Sequence, residues 1–192
     1  MFPGAIRDRL IGPDATTETT KKGKNLKTFM SSSHDGTGGG DSSDAPLADL
    51  FLEATVLFAD ISGFTAWSSS REPVQVFTLL ESIYQSFDQI AKRRRIFKVE
   101  TVGDCYVAAA GIPDPRKDHA LMVARFARDI MIIFGRLTKE LEVTLGPDTG
   151  DLNLRVGINS GPVTAGVLRG ERARFQLFGD VSATLRRKRS LG

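Results

Sequence analysis

Apolar residues recur along this chain in two rhythms, and the rhythms lay out a fold. Ala54-Thr-Val-Leu-Phe-Ala59 is a short run rich in strand formers that stops at Asp60. Beyond Ser68-Ser-Ser-Arg-Glu, Pro73 suits the first turn of a helix. Phe77, Leu80, Ile83, Tyr84, Phe87, Ile90 and Ala91 then recur at helical spacing and predict one buried face. Lys92–Arg95 supply cations where the helix dipole is negative, so the helix is expected to end there. Ile96–Val99 and Cys105–Ala109 read as strands joined through the hairpin Thr101-Val-Gly-Asp104. Asp118 is placed to cap a second helix, with Leu121, Ala124, Ala127, Met131, Phe134, Leu137 and Leu141 as its apolar stripe. Leu154–Ile158 and Val163–Val167 predict strands either side of a turn at Ser160-Gly-Pro162, and Phe175–Phe178 predicts one more. The order β-α-β-β-α-β describes an α+β, ferredoxin-like sandwich with helices on one face of an antiparallel sheet.

The first 50 residues break both rhythms. Ser31–Asp44 is small, polar and glycine-rich, with nothing to bury, so residues 1–50 are expected to form a disordered tail or linker. Gly36-Thr-Gly-Gly-Gly-Asp41 fits neither the dinucleotide nor the Walker spacing and has no strand before it. Order is expected from near Ala54, within a domain over residues 51–180, and 181–192 reads as a basic C-terminal tail.

Composition narrows the class. An apolar fraction of 41% and a charged fraction of 26% are those of a globular protein. A net charge of +3 is too small to argue for nucleic acid as a partner. The single cysteine, Cys105, cannot form an internal disulfide, which points to a reducing, cytoplasmic setting. Charges in the first nine residues argue against a signal peptide, and no run approaches the ~20 apolar residues of a membrane helix. Attachment at the cytosolic face of a membrane would need a larger receptor around this segment.

Two acids carry the chemistry. Asp60 ends the first strand and Asp104 sits in the hairpin between the second and third. The predicted topology lays that strand beside that hairpin, so the two carboxylates converge. With no neighbouring His, they make a hard oxygen site suited to Mg²⁺ or Mn²⁺ rather than zinc. Ile61-Ser-Gly-Phe-Thr65 follows, with a glycine that lets backbone N–H groups approach an anion.

These residues resemble the motifs of class III adenylyl and guanylyl cyclase catalytic domains. Val56–Thr65 is similar to their metal-and-phosphate motif, and Phe97–Tyr106, continuing to Ala110–Pro113, to their second signature. Arg155–Gly166 is similar to the third, and Phe175–Asp180 opens the fourth, so the resemblance covers about residues 54–180 in family order. It implies that Asp60, Asp104 and the Ile61 carbonyl hold two Mg²⁺ or Mn²⁺ ions. Gly63, Phe64 and Thr65 would hold the phosphates of a nucleoside triphosphate. The implied reaction forms a 3′,5′-cyclic nucleotide and pyrophosphate for intracellular signalling.

Glu100 matches the position that reads the purine, where a carboxylate accepts from guanine N1–H and N2 and favours GTP over ATP. Gln176 matches its partner position, and an amide there settles nothing. Ala183 falls where the family places a ribose-orienting Asn, and Arg187 falls in register with a transition-state Arg. The last helix and strands of the family, with their triphosphate lysine, are missing after Asp180, which implies a C-terminally truncated domain of impaired activity. The family builds its sites across a dimer, so the expected partner is a second cyclase domain, identical or not. A regulatory or half-site subunit that binds nucleotide, or pairs with a complete cyclase, is the alternative.

Overall fold

A computed structural model describes residues 47–168 and 174–179. Its elements follow the predicted order with two additions. Strand β1 (Leu47–Ser62) leads through Gly63 into a short helix α1 (Phe64–Ser69), then α2 (Pro73–Arg94). The hairpin β2 (Phe97–Val102) and β3 (Cys105–Ala110) precedes α3 (His119–Leu145). A 3₁₀ turn at Pro147–Thr149, β4 (Asn153–Leu168) and β5 (Arg174–Phe178) complete the described residues. The sheet has five strands in the order β2-β3-β1-β4-β5, and every pairing is antiparallel. Its first four strands have the ferredoxin-like arrangement, and β5 extends it at the β4 edge.

Side-chain alternation divides the sheet into two apolar faces. Leu57, Ala59 and Ile61 of β1 and Tyr106, Ala108 and Ala110 of β3 pack under α2 and α3 with Leu79, Ile83, Phe87, Phe126, Ile130 and Phe134. Ala54 and Val56, with Cys105, Val107, Ala109, Val163 and Leu177, form a second core on the opposite face. The sheet curls over that face far enough for its two edge strands to meet. Phe97 of β2 packs edge-on to Phe175 of β5 with ring centroids 5.2 Å apart.

Four expectations change. β1 begins at Leu47 rather than near Ala54, because Leu47–Phe51 pair with Val163–Val167. The two strands expected either side of Ser160-Gly-Pro162 are one strand of 16 residues. Pro162 has no N–H to give a ladder, and β1 answers with a register shift between Phe51 and Ala54, which are paired with Val163 and Gly161. Phe77, Leu121, Ala124 and Met131 are exposed: the buried face of α2 keeps the expected Ile83, Phe87, Ile90 and Ala91 and adds Leu79, whereas that of α3 keeps Ala127 and Phe134 and is completed by Val123, Phe126 and Ile130. Asp118 is the N-cap residue of α3 but makes no side-chain cap; both its carboxylate oxygens accept from Arg116 instead.

Candidate active site

Asp60 sits on the central strand with a partner on each side, Cys105 of β3 and Arg155 of β4. Leu57, Ala59 and Ile61 face the helices, so Asp60 faces the other way with Val56 and Phe58. Its side chain keeps 13% of its surface exposed, and one carboxylate oxygen, Oδ2, accepts from Arg155 Nη2 at 2.8 Å. Asp104 follows Gly103 in the β2–β3 turn and immediately precedes Cys105, the cross-strand partner of Asp60. One Cα step, about 3.8 Å, therefore separates Asp104 from the residue directly opposite Asp60. The two acids, 44 positions apart in the chain (104 − 60 = 44), are brought to the same end of neighbouring strands.

Helix α2 fixes that turn from below. The Tyr84 hydroxyl donates to the Gly103 carbonyl at 2.7 Å. One turn on, Asp88 accepts from the Tyr106 hydroxyl at 2.8 Å and from Lys98 Nζ at 2.7 Å, tying β2 and β3 to the same helix. Burial, followed by the bond to Asp88, pushes the Tyr106 phenol far above its ordinary value, so it remains a donor.

Past Cys105 there is no further β3 partner for β1, and Ile61 pairs only with Leu154 of β4. The Ile61 side chain is buried in the helix-side core, which leaves its backbone as what it offers a ligand. Gly63 then turns the chain at φ 85°, a left-handed conformation that suits glycine. Its carbonyl accepts from the Trp67 amide at 3.0 Å, which starts α1. The amides of Phe64 and Thr65 lie in that first turn, ahead of any helical acceptor.

Two carboxylates and a backbone carbonyl fit a small hard cation. Among the described residues no group of three or more His, Cys, Asp or Glu side chains could hold a metal. Such a cation would need further oxygens from phosphate and water, which is the usual habit of Mg²⁺ and unlike a closed zinc site.

The two residues expected to read the base lie on the edge strands of the sheet. Glu100, half-buried on β2, is opposite Val107 after a register shift at Val99. Gln176, also half-buried, is opposite Gly166 on β5. The Phe97–Phe175 contact draws these strands together, three residues before Glu100 and one before Gln176. Arg187, Ala183 and Asp180 lie outside the described residues.

Arg155 is the residue sequence reasoning passed over: it was read only as the opening of a motif. Its significance is a register between strands 95 positions apart. Tyr84 packs against the helix-side core as its spacing predicts, and its hydroxyl in addition reaches the β2–β3 turn.

The sequence profile of the adenylate and guanylate cyclase catalytic domain matches residues 48–192. Guanylyl cyclase C of Rattus norvegicus is 40% identical over 145 residues, which are 75% of this chain and 13% of that protein. The dimeric guanylyl cyclase domain of the RhoGC fusion protein from the aquatic fungus Blastocladiella emersonii superimposes with a TM-score of 0.63 at 37% identity, covering 74% of this chain and 76% of that one. The guanylate cyclase domain of RhGC from Catenaria anguillulae, in complex with GTP, gives 0.61 at 38% identity, covering 72% of each. No helix among the described residues is long and apolar enough to cross a membrane.

Proposed function

The chain belongs to the adenylate and guanylate cyclase catalytic domain family, and from that premise we propose that it converts GTP, in preference to ATP, to the 3′,5′-cyclic nucleotide and pyrophosphate. The observation that carries the proposal is the pairing of Asp60 with Cys105, which sets Asp60 and Asp104 side by side at the entrance to the Gly63–Thr65 turn.

Asp60, Asp104 and the Ile61 carbonyl would hold two Mg²⁺ or Mn²⁺ ions, which would supply Lewis-acid chemistry: a lower pKa for the ribose 3′-hydroxyl and compensation of charge on the phosphoryl oxygens. The 3′-oxygen forms a bond to the α-phosphorus as the bond from that phosphorus to the bridging oxygen breaks, and the hydroxyl proton leaves to water. The amides of Phe64 and Thr65 hold the departing phosphates. Arg155, whose guanidinium donates to Asp60 at 2.8 Å, adds positive charge beside the triphosphate. Glu100 accepts from guanine N1–H and N2, with Gln176 at the facing edge. Cys105 is buried and takes no covalent part.

The site is completed across a dimer with a second cyclase domain, in line with the dimeric form of the fungal relative. Arg187 of this chain serves the partner's site as the transition-state cation. Ala183 favours a second reading in which this chain donates its metal-binding half to a complete partner and turns over little alone, since it has no polar side chain to orient a ribose. A cysteine outside any disulfide and a triphosphate substrate both suit the cytoplasm.

The test is cyclic nucleotide formation from GTP and ATP with Mn²⁺, by the chain alone and mixed with a complete homologous domain. Product from GTP that disappears with Asp104→Ala supports the cyclase reading, and product only in the mixture supports the half-site reading. Product that survives Asp104→Ala refutes both.

A further inference from the structure

We propose that Trp67 and Thr149 form a latch that positions the Gly63–Thr65 turn for triphosphate binding, a role that rests on the phosphate reading of that turn given above. Trp67, the one buried residue of α1, is 4% exposed, and its indole N–H donates to Thr149 Oγ1 at 3.1 Å. Thr149 is fully buried in the 3₁₀ turn between α3 and β4. The bond therefore joins the segment after Asp60 to one 82 positions away.

Neighbouring contacts reinforce the same joint. The Arg71 guanidinium lies over the Trp67 ring, 5.3 Å from its centroid, and forms an ion pair with Asp148, the residue before Thr149. Gly146 makes room for it: a side chain there would start 2.9 Å from Arg71 Nη2, and its φ of 105° disfavours one anyway. Arg71 Nε is buried and makes no hydrogen bond among the described residues. Phe64 also stacks with Trp67, with ring centroids 6.2 Å apart. Leu152, at the end of the same loop, approaches to 3.6 Å of where a Gly63 Cβ would stand.

A purely apolar residue at 67 would pack as well and need no partner, whereas a buried indole N–H must find an acceptor. What the hydrogen bond adds is direction. It fixes the rotation of α1 about its axis, and with it the aim of the Phe64 and Thr65 amides, which a sliding apolar contact would leave free. Trp67 and Thr149 are positioning residues: they act on phosphate through Phe64 and Thr65.

The experiment compares the full chain with Thr149→Val, which keeps shape and removes the acceptor, and with Thr149→Ser, which restores it. Amide hydrogen exchange is read without nucleotide over Phe64–Ser69 and over α2 as the internal control. Affinities for Mn²⁺·GTP and Mn²⁺·GMP are measured in parallel. Thr149→Val is expected to speed exchange in Phe64–Ser69 by about tenfold or more while α2 is unchanged. It should weaken Mn²⁺·GTP by roughly tenfold relative to Mn²⁺·GMP, with Thr149→Ser reversing both effects. Unchanged exchange in Phe64–Ser69 overturns the latch, as does an equal loss of affinity for both nucleotides, which would mark general destabilisation. Faster exchange with unaltered Mn²⁺·GTP affinity overturns the positioning role. Should the unsubstituted chain fail to prefer Mn²⁺·GTP over Mn²⁺·GMP, the phosphate reading of the turn falls by itself, and the exchange arm still decides the latch.

Discussion

Replacing Asp60 by Asn separates what this carboxylate does for the fold from what it does for a cation. The shape is kept and one negative charge is lost. Without metal, the loss includes the ion pair with Arg155, whose side chain is 47% exposed and can return to water. Such pairs contribute about 0.2–1 kcal/mol, and the Asn carbonyl still accepts from the guanidinium. The apo melting temperature should therefore fall by no more than roughly 5 °C in a domain of this size. With metal the balance differs. A cation at one hundred times its dissociation constant stabilises the folded state by about 2.7 kcal/mol, and the amide forfeits the charge that holds it. Thermal melts of Asp60→Asn and the unsubstituted chain, in EDTA and across a Mn²⁺ titration with GTP, should show near-equal apo stability and a Mn²⁺-dependent rise only in the latter. An equal rise in both would remove Asp60 from the metal site. An apo loss of roughly 3 kcal/mol or more would mark it as a structural acid, as expected when one partner of a fully buried pair is removed.

Two further outcomes rest on the same structure. Glu100→Lys removes an acceptor for guanine N1–H and N2 and should shift the ratio of GTP to ATP turnover toward ATP by about tenfold or more; an unchanged ratio in competition assays would remove Glu100 from base selection. Burial opposes ionisation of Asp129, but hydrogen bonds from Arg94 Nε at 2.6 Å and Arg128 Nη2 at 3.2 Å outweigh it and hold the carboxyl below its ordinary 3.8. Its contribution to stability is thus fully present above 3.8 and lost as pH falls through the lower folded value. Asp129→Asn should flatten the acid limb of urea stability against pH, and a limb of unchanged slope would refute this.

What could be read from the chain was what neighbours in sequence decide. Strand formers before Asp60, the Pro73 helix start and the hairpin between β2 and β3 are local signals, and each appears where it was expected. The convergence of Asp60 and Asp104 needed only the topology those elements imply. What the chain withheld was set at long range. Helical spacing admits two adjacent stripes on α3 that share Ala127 and Phe134, and the sheet, absent from the periodicity, chose the one containing Phe126 and Ile130. Ser160-Gly-Pro162 has every local mark of a turn, yet a bulge in β1 lets the strand run through it. Arg155 and Thr149 reach Asp60 and Trp67 through partners 95 and 82 positions away, which no window along the sequence contains.

The shift opposite Pro162 also acts as a tooth that sets the phase of everything downstream. Ala54, the first residue paired beyond it, and Asp60 are an even number of positions apart and share one face of β1. Deleting a single residue between them would invert that parity. The acid would swing beneath α2 and α3, and Ala59 or Ile61 would take its place at the proposed cation site. Tolerance to substitution along this stretch is therefore a separate matter from tolerance to a change in its length: side chains may be exchanged one at a time, but the count between the tooth and the carboxylate must stay even.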